Sequence, residues 1–418
     1  MSRRIGGRRA AVVDVGRHRV RKWRRCRTQP GVALSGPGDE RMIRRFREAA
    51  KAAIEETVMQ LQALQDSSAD DREPRAEARF EVVHIETLRY FPELVMELGG
   101  DPAPLLRKAR IDPFIFDKRG SVLEYRAFVQ LLELAATELR RPDFGMRLAM
   151  LQGAHKVIGP VGVAMKNSKT VGQALGYCAK HIHAYSLATR VRFEPDRPNH
   201  RLFVGLEILL ENMPQRSQAV EHGLVLANRN IRDISGEAAT ARGVLFRHPP
   251  VASPEVYRAM FGCEVRFNQR SDAIILNESD LLCEITAADE QIYEMATSYI
   301  DTRFPPATPP MHARVRGLVR QLLGGDDCTN ERVAAELCMH PRTLQRRLRQ
   351  EGKAFESIKD DVRRDLALHY LQQTDMPLSR ITEKLGYAEA SVLSRSCDRW
   401  FSTSPLQLRR QSLIAPAA

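Results

Sequence analysis

The chain has 418 residues, of which 43% are hydrophobic and 6% aromatic, enough for two or three globular domains. It holds no run of about 18 apolar residues and opens on a basic stretch poor in apolar side chains, so neither a helical membrane span nor a secretory signal is expected. The net charge of +12 is uneven: residues 1–27 hold eleven Lys and Arg against Asp14 alone, and residues 311–411 hold eighteen basic residues against thirteen acidic ones, leaving the middle slightly acidic. That asymmetry points to a polyanion at the ends and a different partner in the middle. Seven scattered cysteines form no CxxC pair. They fit a reduced, cytoplasmic setting with buried thiols and no clustered zinc ligands.

Residues 1–40 are rich in Arg and Gly without sustained periodicity and read as a disordered leader. Met42 is an alternative start. From it, Ile43, Phe46, Ala50, Ala53, Thr57, Leu61 and Leu64 recur at three- and four-residue steps, an amphipathic helix expected to dock on its own domain. The stretch 66–79 breaks the pattern as a linker, so residues 1–80 form a leader, helix and linker. Residues 81–302 then read as one mixed domain. Helical spacing runs through "IETLRYFPELVMELG" (85–99), "YRAFVQLLELAATELR" (125–140) and "TVGQALGYCAKHIHAYS" (170–186). "TRVRFEP" and "HRLFVGLEIL" alternate about the turn 196–199 and predict a hairpin, with further short strands in "ARGVLFRHPP", "CEVRFNQ" and "AIILNE". Four prolines in residues 303–311 make a stiff linker.

Residues 312–411 read as all helical. "ARVRGLVRQLLGG" stops at Gly324-Gly325. "TNERVAAELCMH" follows, with Thr329 or Asn330 as a fitting N-cap. After Cys338, Met339 and His340 comes "PRTLQRRLRQEG", with Pro341 in the first turn and Gly352 at the end. This is a helix-turn-helix plan with Val333, Leu337, Leu344 and Leu348 as its small core. A second unit begins at Pro377: Ile381, Leu385 and Leu393 match Val333, Leu337 and Leu344 at intervals of 48, 48 and 49 residues, and Gly386 stands where the first unit has Cys338. Between the units, Phe355, Ile358, Val362, Leu366 and Tyr370 define one helix of about 18 residues. It spans about 27 Å, close to the roughly 34 Å between successive major grooves on one face of DNA. A helix entering a groove wants Arg and Gln on its open face, since guanidinium pairs with guanine and the glutamine amide with adenine.

The Leu-Gln-Arg-Arg helix, the rod "RRDLALHYL", "LGY", "SR" and "RW…SP" together resemble, over residues 312–411, the DNA-binding region of AraC/XylS-type transcription regulators. The resemblance implies that Arg342, Gln345 and Arg346 of the first unit, and Ser391, Ser394 and Arg395 of the second, read bases, that Thr343 also lies against DNA, and that Arg347 and Arg349 touch phosphate. The family usually has aromatic residues where Leu393 and Cys397 stand, and Thr-Gly where this chain has Phe401-Ser402; the lost ring volume implies a looser second unit. More distantly, "LLRKARIDPFIF", "PDFGMRLA", "IGPVGVAMKNSKTVGQALGYCAKH", "VLFRHPPVASPEVYRAMFGCEVRFN" and "AIILNESDLL" resemble the arabinose-binding-like sensing domain of one AraC-type subgroup. The implied fold is an α+β ligand-sensing domain followed by an all-α DNA-binding domain of two helix-turn-helix units joined by a long helix.

The middle region shows no catalytic constellation, so no enzyme activity, cofactor or metal is expected. His181 and His183 are two apart, whereas a helical metal pair prefers i and i+4; Cys263 has no nearby histidine base and reads as a structural thiol. His155 and His200 read as surface or satisfied core groups. Tyr177, Tyr185 and Phe193 are candidates to line an apolar pocket or simply to fill the core. The expected partners are operator DNA, a small-molecule effector of unspecified identity, RNA polymerase and a second copy of the chain, with activation as the expected sign. Two other classes compete. A constitutive architectural DNA binder would show a steep salt slope and little sequence discrimination, but would have no use for Gln345. A DNA-repair alkyl transferase tethered by helix-turn-helix units would need a zinc-bound cysteine cluster.

Overall fold

The computed structural model describes residues 80–414 apart from 118–119, 211–212, 214, 305–308, 326–327 and 375, together with positions 48, 52, 55, 57 and 59. The basic leader, most of the helix expected from Met42, the 66–79 linker and the centre of the Pro-rich segment lie outside the described residues. The five isolated positions are all helical.

The first half opens with β1 (Val82–His84), which pairs antiparallel with β2 (Val122–Glu124), a small sheet that the sequence pattern did not announce. The single helix expected over 85–99 is broken. A 3-10 turn covers Ile85–Leu88, Tyr90 adopts a left-handed φ of 63°, and α1 (Phe91–Glu97) restarts with Pro92 in its first turn. Proline has no N–H to continue a preceding turn and is tolerated only in a helix's first turn, so a helix can restart at Pro92 but not run through it. Helices α2 (Pro102–Lys108), α3 (Tyr125–Glu138), α4 (Phe144–Gln152), α5 (Ala154–Val157), α6 (Pro160–Lys166) and α7 (Val171–His181) follow. Thr57 reaches this layer: its methyl lies so near α7 that a Cβ at Gly172 would stand 2.7 Å from it.

The predicted hairpin is present as β3 (Thr189–Asp196) and β4 (Arg201–Ile208), paired antiparallel from Thr189↔Ile208 to Asp196↔Arg201. Helix α8 (Ser217–Ser235), β5 (Gly243–Leu245), α9 (Pro254–Phe261), β6 (Val265–Arg266), β7 (Ala273–Asn277) and α10 (Glu290–Arg303) complete this half. The sheet order is β3-β4-β7-β5-β6, antiparallel except for the β5–β6 pair. Phe91, Phe128, Phe144 and Phe246 are fully buried in its core.

A second core belongs to α11 (Met311–Leu322), α12 (Asn330–Glu336), α13 (Pro341–Gln350), α14 (Phe355–Gln373), α15 (Leu378–Lys384), α16 (Ala390–Phe401) and α17 (Pro405–Ile414). The architecture is thus an α+β half followed by an all-helical half with two helix pairs about one long helix. The halves meet where α11 lies along the hairpin. Gly317 permits this: a Cβ there would come within 2.7 Å of Arg190 Nη2, and Gln321 Nε2 donates to Glu194 Oε1 at 2.9 Å.

Helix α8 buries a carboxyl group. The Glu221 side chain is 0% exposed, and Tyr257 Oη donates to its Oε1 at 2.5 Å. Burial pushes this carboxyl up to about 8. A folded carboxyl held that high keeps a proton that the unfolded chain releases near its ordinary 4.5, so its contribution to stability falls as pH rises from about 4.5 to about 8. Glu221→Gln removes this titration. The wild type should therefore lose, relative to the variant, roughly one to a few kcal/mol of unfolding free energy across that window. Urea melts of both proteins at several pH values test this, and a difference that stays constant with pH would refute it.

Candidate nucleic-acid interface

The first helix pair begins with a capped start: Thr329 Oγ1 accepts from Arg332 N at 3.1 Å, which settles the N-cap between the two candidates. The turn needs one left-handed residue, and Cys338 supplies it with φ 52°. His340 Nδ1 then accepts from Arg342 N at 3.2 Å, and Pro341 occupies the first turn of α13. In the second pair Gly386 takes the matching left-handed place with φ 63°. The two turns thus share a backbone conformation, although one is made with a residue that adopts it at some cost.

Leu344 and Leu348 are 0% and 1% exposed and pin α13 to Val333 and Leu337. Arg342, Gln345, Arg346 and Arg349 are exposed. Their steps of three, one and three residues, at about 100° each, place all four on one stripe away from the leucines. Thr343 and Arg347 are half-buried at its flanks, and Arg347 Nη1 reaches 3.9 Å from Met339 Sδ. Arg349 therefore shares the face of the expected base readers, whereas Arg347 leans back toward the turn.

The stripe recurs 49 residues later. Ser391, Ser394, Arg395 and Asp398 occupy the equivalent places on α16, and all are exposed. Ser391 Oγ donates to Glu389 Oε2 at 3.0 Å and Ser394 Oγ to the Ala390 carbonyl at 3.2 Å, so both hydroxyls keep a lone pair to offer. The two stripes differ in charge: three arginines on the first, one arginine offset by Asp398 on the second. The sequence resemblance did not single out Asp398. Leu393 and Cys397 are 1% and 0% exposed, and half-buried Tyr387, Trp400 and Phe401 close over them. Ser402 ends the helix at φ 53°, a conformation that favours glycine.

Helix α14 holds both pairs by polar contacts that the periodicity did not show. Lys359 Nζ donates to the Cys328 carbonyl at 2.6 Å, on the side of the first pair. Asp360 accepts from Trp400 Nε1 at 2.8 Å and from Arg399 Nη2 at 2.5 Å. Arg363 donates to the carbonyls of Leu385 and Gly386 at 2.9 and 3.1 Å, with its guanidinium 4.4 Å from the Tyr387 ring centre. At the far end of α13, Glu351 accepts from Met311 N at 2.6 Å and from His312 N and Nδ1, each at 2.8 Å. Burial alone would raise the Glu351 carboxyl, but these hydrogen bonds hold it below its ordinary value.

The other sequence candidates do not gather into a site. Phe193 is in the first core, Tyr185 Oη is 2.9 Å from Thr87 Oγ1, and Tyr177 stacks on His181 at 4.3 Å, so the three do not line one cavity. His181 and His183 lie 5.8 Å apart, and no group of three His, Cys, Asp or Glu is placed to hold a metal among the described residues. His200 Nδ1 lies 3.5 Å from Glu278 Oε2, Cys263 is half-exposed, and the His155 side chain lies outside the described residues.

Two family models match: the arabinose-binding domain of AraC transcription regulators, N-terminal, over residues 99–285, and a helix-turn-helix domain over residues 333–411. The HTH-type transcriptional regulator VirS of Mycobacterium tuberculosis is 36% identical over 319 residues, 76% of this chain and 94% of its own. The ornithine utilization regulator of Pseudomonas aeruginosa is 27% identical over 337 residues, 79% of this chain and 96% of its own.

Arg363→Ala removes two charge-assisted bonds and the ring contact from the second turn. It should loosen α15 and α16 by about 1.5–3 kcal/mol. Amide hydrogen exchange should then accelerate in residues 378–401 while residues 329–350 keep their protection. Equal acceleration in both pairs would contradict the assignment.

Proposed function

The chain belongs to the AraC-type transcription regulators, which bind DNA and are not enzymes, and from that premise we propose that it is a sequence-specific regulator whose two recognition helices enter successive major grooves. The observation that carries this reading is the exposed Arg342–Gln345–Arg346–Arg349 stripe, set against a leucine anchor and repeated in place 49 residues on. A 19-residue α14 spans about 28 Å, near one helical repeat of DNA. Arg342, Gln345 and Arg346 read bases from the first groove, with Thr343 at their flank. Ser391, Ser394 and Arg395 read from the second. Arg347 and Arg349 hold phosphate.

The first unit supplies most of the affinity, because its stripe carries three positive charges and the second stripe is balanced by Asp398. The α+β half senses a small-molecule effector and shifts the population of DNA-competent arrangements. A relative named for ornithine utilization supports a metabolite as the class of effector. The regulator works in the cytoplasm, and contact with RNA polymerase beside the operator gives activation.

Arg346→Ala should weaken binding to the selected operator by about 1–3 kcal/mol and relax preference at one base pair. Arg349→Ala should weaken selected and random DNA alike and make the salt slope shallower by about one. Titrations of both variants on both DNAs decide the matter. Equal losses on specific and random DNA for the two variants would overturn the base-reading assignment.

A further inference from the structure

An open cleft lies where the α+β half meets α11 and α14. Its walls are β4, the start of α8 and Arg247 on one side, and Arg316, Arg320 and Gln321 on the other, with Asp365 in an adjoining recess. Its interior is small, about 40 Å³, and that recess, of about 30 Å³, shares Arg216, Arg247, Asp272 and Arg320 with it. Across both spaces six arginines face four carboxylates.

Those carboxylates already have partners. Glu207 takes Arg190 Nη2 at 2.6 Å, and Glu194 takes Gln321 Nε2 at 2.9 Å. Asp272 accepts the Arg247 backbone N–H at 2.8 Å, and Asp365 sits 3.6 Å from Arg316 Nη1. Arg216 and Arg320 make no ion pair among the described residues, and Arg320 Nε is buried without a hydrogen-bond partner. Burial, with the neighbouring guanidiniums, pulls Arg216 down to about 10 against the opposing charges of Asp272 and Asp365, and pulls Arg320 well below its ordinary value against Asp365. His369 beside them is held near 4 by burial and the same two arginines, so it adds no charge at neutral pH. A part-buried cluster in which arginines outnumber carboxylates among the described residues is costly to hold unless an anion completes it.

We propose that this cleft binds a compact metabolite bearing a carboxylate or phosphate group, held between Arg216 of the sensing half and Arg320 of the DNA-binding half. Arginine suits the task because its planar fork meets either oxyanion with two parallel N–H bonds. Because Arg320 is on α11, and α11 begins under the Glu351 clamp at the end of α13, the anion fixes the recognition helix relative to the sensing half. This coupling rests on the regulator reading above, but the binding does not.

The test uses the full chain. Inorganic phosphate and citrate, at low millimolar concentration, are each titrated against sodium chloride at matched ionic strength, with the thermal midpoint and titration calorimetry as readouts. At least one of the two should raise the midpoint beyond chloride, and which one does so identifies the headgroup. Arg216→Gln and Arg320→Gln should each weaken that binding at least tenfold, and each should unfold at or above the wild-type midpoint without anion, since a surplus charge is gone. If Arg320→Gln fails to fold, Arg216→Gln, at a half-exposed position, decides. Chloride reproducing the shift, or Arg216→Gln binding as the wild type does, would overturn the site. Operator affinity is measured in parallel: binding that leaves it unchanged would overturn the coupling alone, whereas absence of any preferred DNA site would sink the regulator reading and leave the anion site standing.

Discussion

Two side chains on one helix, Asp360 and Arg363, fix where the second recognition helix stands relative to the first. Hydrophobic burial alone would not do this. Ile358, Val362 and Leu366 hold the two helix pairs against α14, but apolar contacts are non-directional and tolerate rotation. The hydrogen bonds are directional. Arg363 reads two consecutive carbonyls at the turn of the second pair, which only one orientation of that turn presents, and Asp360 takes the indole N–H of Trp400 at the end of α16. A spacer that is to present two probes to one face of a duplex must control rotation as well as length, because a helix turned by a few tens of degrees aims its stripe at phosphate rather than at base edges. Helical rise gives the length, and these two residues give the rotation.

The two probes held this way are not equals. Their stripes superpose in sequence at an offset of 49 residues, so the geometry is shared, but the chemistry is not. The first offers three guanidiniums and an amide, groups whose donors bond in pairs to base edges or to phosphate. The second offers two short hydroxyls, one arginine and a carboxylate that phosphate repels. The same asymmetry appears in backbone strain, with the sides exchanged. The first turn places Cys338 in a left-handed conformation where the second has Gly386, and the second unit ends on Ser402 in a conformation that a glycine would hold with less strain. Each unit therefore departs once from the cheapest backbone solution, and neither departure touches the exposed stripe.

Much of this was legible in the residues. The helix-turn-helix pairs, the rod and the core positions followed from apolar spacing, because amphipathic helices print their buried face into the sequence every three or four residues. The 189–208 hairpin followed from alternation about a turn. What stayed hidden shares one property: it depends on partners distant in sequence. Asp360 and Arg363 look like ordinary exposed charges on an amphipathic helix until Trp400 and Gly386 are brought to them. The pairing of β1 with β2 joins segments 40 residues apart, each only three residues long, too short for alternation to register. The break at Tyr90 was readable from Pro92, but the apolar spacing through 85–99 argues for continuity and outweighs it. Asp398 needed the 49-residue superposition before its place on the second stripe had meaning.

The junction between the halves poses the remaining physical question. A contact surface meant only to be stable would bury apolar side chains, since replacing buried ion pairs by packed hydrophobes is commonly neutral or stabilising. Here α11 turns Arg316 and Arg320 toward a hairpin that already carries Arg190 and Arg192, and glycine at position 317 lets the backbones approach closely enough to hold these charges near one another. The arginines are partly compensated by Glu194, Glu207 and Asp365, so the junction is held by charge pairs rather than by apolar packing. The same helix starts under Glu351, so whatever sets the position of α11 also sets the end of α13. The charged junction and the end of the recognition helix thus share one structural element, α11, so a displacement at one is felt at the support of the other.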